Sequence, residues 1–135
     1  MTDELQAMQK KEVGTVLYIE DNPANLKLIQ VFLSSRTGYS LLSANDPLTG
    51  LELAKTKKPD LILLDINLPE MNGYDVMARL LADDVTCHIP VVALSASAMP
   101  RDMERADKVG FKAYLTKPVD LTVLKTTIET HIRSA

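Results

Sequence analysis

Three acids, a serine and a lysine stand at the ends of four short apolar runs in this chain. Val16-Leu17-Tyr18-Ile19 leads into Glu20-Asp21, Leu61-Ile62-Leu63-Leu64 into Asp65, Val91-Val92-Ala93-Leu94 into Ser95, and Ala113-Tyr114-Leu115-Thr116 into Lys117. If the runs are parallel strands of one sheet, their carboxyl ends share an edge, the place where open α/β sheets bind ligands. Carboxylate pairs at ~4 Å and an effective dielectric of ~20 repel by about 4 kcal/mol, so such a cluster needs a cation or must take up protons. Its ligands are hard oxygens with no His or Cys among them, which favours Mg²⁺ or Mn²⁺ over Zn²⁺. A carboxylate such as Asp65 is a competent nucleophile toward phosphorus. Lys117 supplies a point charge for phosphate oxygens and Ser95 a hydroxyl donor, with backbone N–H groups near Asn67 and Ala96 to complete a cradle. Singly, each residue has a plainer reading: a solvated loop acid, a helix cap, a locally satisfied hydroxyl, a solvated lysine. Their joint placement carries the chemistry.

The elements that must position them follow from pattern. The runs at 15–20, 61–64 and 91–94 are almost continuously apolar, as strands covered on both faces are. Leu41-Leu42, bounded by Ser40 and Ser43, is weaker and reads as a sheet edge. Helix signals fill the gaps. Asn22-Pro23 and Asp46-Pro47 each combine an N-cap with proline at the first helical position, opening helices to about Arg36 and Lys57. Gly73 precedes a helix ending near Asp83-Asp84. Pro100 lies in the first turn of the next, Gly110 caps its end, and Asp120 starts the last, with Leu121, Leu124, Ile128 and Ile132 as its stripe. In the first helix, Leu28, Ile29 and Phe32 are expected to face the core, with Leu26 and Leu33 toward its edge. Alternation of β and α implies right-handed crossovers. The expected fold is an α/β, doubly wound, flavodoxin-like domain whose five parallel strands run in the order 2-1-3-4-5.

At 135 residues the chain has room for one domain, with residues 1–12 as a tail or linker and 13–135 as the folded unit. A net charge of −3 without a Lys/Arg-rich stretch argues against direct nucleic-acid binding. The single cysteine, Cys87, permits no disulfide framework; beside His88 it reads as buried or half-buried filler rather than a metal ligand. No apolar signal region opens the chain and no stretch reaches membrane-spanning length, so a cytoplasmic protein without membrane insertion is expected. Few residues follow the last helix, so no output domain is expected after it.

Glu20-Asp21, LLDINLPEMNG (63–73), LSAS (94–97) and YLTKP (114–118) resemble the receiver domain of two-component response regulators. The intervals match too: 44 residues from Asp21 to Asp65, 30 on to Ser95 and 22 on to Lys117. The likeness extends from about Val13 to Arg133. It implies that Asp65 is the phosphorylated nucleophile and that Glu20 and Asp21 hold Mg²⁺ with Asp65 and the backbone carbonyl of Asn67. It implies further that Lys117 pairs with the phosphate, that Ser95 and Tyr114 form the switch, and that Lys117-Pro118 is a cis peptide. Asn67, Ala96 and Ser97 would flank the phosphate. Asn67 and Ser97 are small and polar enough to admit water, which implies self-catalysed dephosphorylation within minutes.

Asn22-Pro23-Ala24-Asn25-Leu26-Lys27-Leu28 and Ser95-Ala96-Ser97-Ala98-Met99-Pro100 are similar to the receiver modules of hybrid sensor histidine kinases. The implied partner is a histidine kinase or histidine phosphotransfer domain, docking by helix packing at Leu26 and Pro118. The face of the fourth helix, fifth strand and fifth helix (Met99, Met103, Lys108, Lys125) is a candidate output or homodimer surface. So read, the domain is no enzyme beyond its own phosphorylation and dephosphorylation. Two alternatives remain. A flavodoxin-like cofactor binder lacks a Ser/Thr/Gly-rich phosphate loop after the first strand, and an aspartyl-nucleophile phosphohydrolase usually carries a second acid where this chain has Asn67.

Overall fold

The computed structural model describes residues 14–132; the tail expected over 1–12 lies outside them. Ten elements alternate along the chain: β1 (Thr15–Ile19), α1 (Pro23–Arg36), β2 (Ser40–Ala44), α2 (Pro47–Lys57), β3 (Leu61–Asp65), α3 (Gly73–Ala82), β4 (Val91–Ser95), α4 (Pro100–Val109), β5 (Ala113–Thr116) and α5 (Leu121–His131). The strands form one parallel sheet in the order β2-β1-β3-β4-β5, as expected, with the serine-bounded run at an edge.

Alternate residues of the central strands feed opposite faces of the sheet. Val16, Tyr18, Leu61, Leu63, Val92 and Leu94 pack against Ile29 and Leu33 of α1 and Leu124 and Ile128 of α5. Leu17, Ile19, Ile62, Leu64, Val91 and Ala93 pack against Ala54 of α2, Val76 and Leu80 of α3 and Ala106 of α4. Both faces being covered, β3 and β4 are buried from end to end. That is why their sequences lack polar alternation.

The helix starts are chemically specified. The side chains of Asn22, Asp46 and Asp120 accept hydrogen bonds from first-turn backbone N–H groups, satisfying donors that have no partner within the helix. The cap of α3 is Asn72, which accepts from Asp75, and Gly73 is the first helical residue. Glycine is required there by contact: a Cβ would stand 2.6 Å from Ile66 Cα and 3.1 Å from the Asp65 carbonyl oxygen. Gly110 ends α4 at φ 108°, a left-handed conformation that favours glycine.

Two expectations change. In α1, Leu33 is fully buried and Leu28 is 51% exposed. The helix meets the sheet along Ile29 and Leu33, with Leu26 packed beside them, a stripe at i, i+3 and i+7 that turns Leu28 away. Cys87 is exposed rather than filler. Its neighbour Thr86 is the buried residue of that turn, donating to the Leu80 carbonyl at 2.7 Å, and His88 is exposed.

Candidate functional site

Strand register brings the polar residues together. Ile19 pairs with Leu64, Asp65 with Leu94 and Ser95 with Thr116, so the residues that end or follow these strands lie side by side. The Glu20 backbone N–H donates to the Ala44 carbonyl at 2.9 Å, and that of Lys117 to the Ser95 carbonyl at 2.8 Å. Both continue the sheet ladders one step past the strands. Glu20 and Asp65 are buried, at 1% and 2% exposure, and Asp21 is exposed. Each of the three presents a carboxylate oxygen within 4.8 Å of the others.

The Lys117 ammonium binds across this cluster, 2.9 Å from Glu20 Oε1 and 3.0 Å from Asp65 Oδ2. Asp65 Oδ1 accepts from the Asn67 backbone N–H at 2.9 Å. Burial, together with the contact to Glu20, pushes the Asp65 carboxyl above its ordinary range, and the Asn67 and Lys117 donors offset this only in part. Burial opposes the charge on Glu20 as well, but hydrogen bonds with Lys117, Asp65 and Tyr18 outweigh it and hold that carboxyl below its usual range. Burial disfavours the Lys117 ammonium, yet its bonds to Glu20 and Asp65 raise it. The two buried acids titrate as a coupled pair.

Three carboxylates against one ammonium leave two negative charges at the edge. The residual charge and the all-oxygen donor set suit a hard divalent ion.

One residue of the site is invisible in the pattern. Tyr18 lies inside the apolar run of β1, 1% exposed, and its hydroxyl donates to Glu20 Oε1 at 2.8 Å. Burial first, and the neighbouring Glu20 carboxylate next, raise the phenol far above its ordinary range, so it stays a donor. The i, i+2 spacing that puts Tyr18 and Glu20 on one face of a strand was the available signal.

The other end of the edge is held by hydroxyls and amides. Ser95 Oγ donates to Asn67 Oδ1 at 3.4 Å, and the Ala96 N–H reaches the same oxygen at 3.5 Å. The Ser97 N–H donates to Ser95 Oγ at 3.1 Å, and the Ser97 hydroxyl donates to the Asp102 carboxylate. The Tyr114 hydroxyl donates to the Ser97 carbonyl at 2.8 Å. Asn67, Ser95, Ser97, Asp102 and Tyr114 border a polar cavity of about 450 Å³ that also meets Arg105, whose guanidinium lies 3.9 Å from the centroid of the Tyr74 ring. The Lys117–Pro118 peptide is cis. On the flank beyond it, Leu28, Ile29, Pro118 and Val119 line a cavity of about 340 Å³ together with Tyr18 and Lys117. Leu26 packs toward the core nearby.

A sequence model of the response regulator receiver domain matches residues 16–129. The polar-differentiation response regulator DivK of Brucella anthropi is 39% identical over 121 residues, spanning 90% of this chain and 98% of that protein. Among solved structures, the chemotaxis response regulator CheY4 of Vibrio cholerae superposes with a TM-score of 0.83 at 22% identity, covering 90% of this chain and 100% of its own. The receiver domain of a Pseudomonas aeruginosa sensor histidine kinase, which holds a magnesium ion coordinated in its active-site cleft, superposes at 0.80 with 29% identity, covering 89% and 98%.

Proposed function

The chain belongs to the response regulator receiver domain family, a family of two-component signalling domains, and from that premise we propose that Asp65 accepts a phosphoryl group from a phosphohistidine donor. The observation that carries this reading is the Lys117 ammonium, held within 3.0 Å of both buried carboxylates at the edge where Ser95 also arrives. An Asp65 oxygen attacks phosphorus, a P–O bond forms, the P–N bond to the donor imidazole breaks, and the imidazole nitrogen leaves with the electron pair. Lys117 and Ser95 bind the phosphoryl oxygens, and phosphoryl transfer of this kind depends chiefly on such positioning and charge neutralisation. Mg²⁺ is the cofactor this donor set fits. Glu20, Asp21 and Asp65, with the Asn67 carbonyl, would hold it, and when bound it offsets the charge of the cluster and of the incoming phosphate. Among the described residues no helix is long and apolar enough to cross a membrane.

The bond between Ser97 N–H and Ser95 Oγ supports a switching role for Ser95, because drawing that hydroxyl onto a phosphoryl group gives the bond up. Tyr114, tied to the same Ser97, then loses its anchor. The donor, a histidine kinase or phosphotransfer domain, docks by a helix against the flank of α1, where Leu28 is half exposed beside Pro118. Asn67 and Ser97 leave a path for water, so the phosphoryl group is lost within minutes.

Incubation with acetyl phosphate and Mg²⁺, followed by intact mass over time, tests this. The expected product is a labile adduct of ~80 Da, a phosphoryl group on a carboxylate nucleophile, that decays within minutes after donor removal. It is absent from Asp65→Asn. An adduct that persists in Asp65→Asn, or none in the native protein, overturns the assignment.

A further inference from the structure

Tyr18 is the one hydroxyl-bearing side chain in the Val16–Ile19 run of β1, flanked by Val16, Leu17 and Ile19 and buried with them. A phenol in such surroundings needs a polar partner, and its partner is the carboxylate of the cation cluster. Glu20 Oε1 accepts two bonds, from Tyr18 at 2.8 Å and from Lys117 at 2.9 Å, and Oε2 accepts from the Asn22 backbone N–H at 3.3 Å. The carboxylate is thus restrained through both oxygens. The three donors do different things to the charge. Lys117 cancels one of the three negative charges. A second ammonium would cancel another and leave too little for a divalent ion. A phenol restrains Glu20 and leaves the residual charge untouched.

We propose that Tyr18 is a positioning residue of the cation site, its hydroxyl holding Glu20 in the orientation in which the acid cluster receives Mg²⁺. The proposal rests on the reading of this edge as a Mg²⁺-dependent phosphoacceptor site. Groups that orient a metal-binding side chain typically control affinity by an order of magnitude or more.

Tyr18→Phe removes the hydroxyl and keeps the ring, and Tyr18→Leu removes both should the phenylalanine variant not fold. Mg²⁺ affinity is measured by titration calorimetry on native and variant protein, with circular dichroism melts to establish folding. The half-saturating Mg²⁺ for phosphorylation by acetyl phosphate is measured alongside. The expected result is Mg²⁺ binding weakened about tenfold in a folded variant, with the half-saturating concentration moving by the same factor. A merely structural tyrosine would lower the melting temperature without that matched shift. Native affinity in a folded variant, or a phosphorylation defect with unchanged Mg²⁺ dependence, overturns the role of Tyr18 alone. A native protein that neither binds Mg²⁺ nor forms the adduct overturns the site reading and this inference with it.

Discussion

At the β1–β3 end of the edge, Tyr18, Glu20, Lys117 and Asp65 are joined by contacts of 2.8 to 3.0 Å, two of them between full charges. At the β4 end, Ser95 and Ala96 reach Asn67 only at 3.4 to 3.5 Å, near the limit at which a hydrogen bond counts as one. The tighter bonds there, joining Ser97 to Ser95, Asp102 and Tyr114, include none between two full charges. The first end is also the drier, with both acids buried, whereas at the second only Ser95 is buried, Ala96 and Asn67 are exposed, and Asn67 borders a polar cavity. A site that must bind and also signal needs both kinds of construction. Charges fixed before the reaction spare reorganisation when phosphorus arrives. Weak contacts between neutral groups cost little to exchange for a bond to phosphate.

Three measurements press on that contrast. Lys117→Ala strikes the tight end and has the largest expected effect. Loss of one preorganised donor to the transferring group slows phosphorylation by acetyl phosphate about 100-fold or more. Mg²⁺ binds more tightly to the same variant, because three uncompensated acids remain. A rate within a few-fold of native would mean that the charged end is not where the chemistry is supported.

Tyr114→Phe strikes the other end and is expected to do much less. It deletes the bond to the Ser97 carbonyl, worth about 1 kcal/mol, and lowers the melting temperature by about 4 °C, with the phosphorylation rate within a few-fold of native. A rate collapse here would erase the distinction between the two ends.

The smallest effect is the pH dependence that the tight end adds to stability. Asp65 has a raised folded pKa, so the folded chain binds its proton more readily than the unfolded chain does. In chelator, stability therefore increases as pH falls through that folded pKa, until the unfolded carboxyl also protonates near ~4. Glu20 is lowered. Its contribution is present above the unfolded value of ~4.3 and is lost only below that, as pH falls through the folded pKa. Thermal melts in chelator should show the upper window, and Asp65→Asn should flatten it. A variant that retains the native slope there would assign the effect to another group.

Much of this was legible in the residues. Runs such as Leu61–Leu64 announce strands because two layers of helices cover them, and Asn22, Asp46 and Asp120 announce helix starts because their side-chain oxygens meet backbone N–H groups nearby. The convergence of Glu20, Asp65, Ser95 and Lys117 was legible because each ends an apolar run. Other features were not. The rotation of α1 that buries Leu33 and exposes Leu28 depends on where the sheet lies, since both leucines are equally apolar. Tyr18 reads as one more strand residue, because its ring packs like its neighbours and only its last atom reaches the acids. At 86–87, Thr86 is buried because its hydroxyl finds the Leu80 carbonyl, a contact that exists only once α3 has formed.

The close approach of Gly73 to the backbone behind Asp65 has a consequence for how the protein can vary. The Gly73 N–H donates to the Ile66 carbonyl at 2.8 Å, so the chain leaves the end of β3, makes an excursion over 67–72 and is fastened back where it left. Within the excursion Asn67 stays bonded to the Asp65 carboxylate and Leu68 stays in the core, so only the tip, Pro69 and Glu70, projects away from both. Substitutions at this tip are absorbed within the loop, and Asp65 stays fixed to the sheet. Pro69 and Glu70 are therefore the replaceable part, open to remodelling beside a centre that does not move.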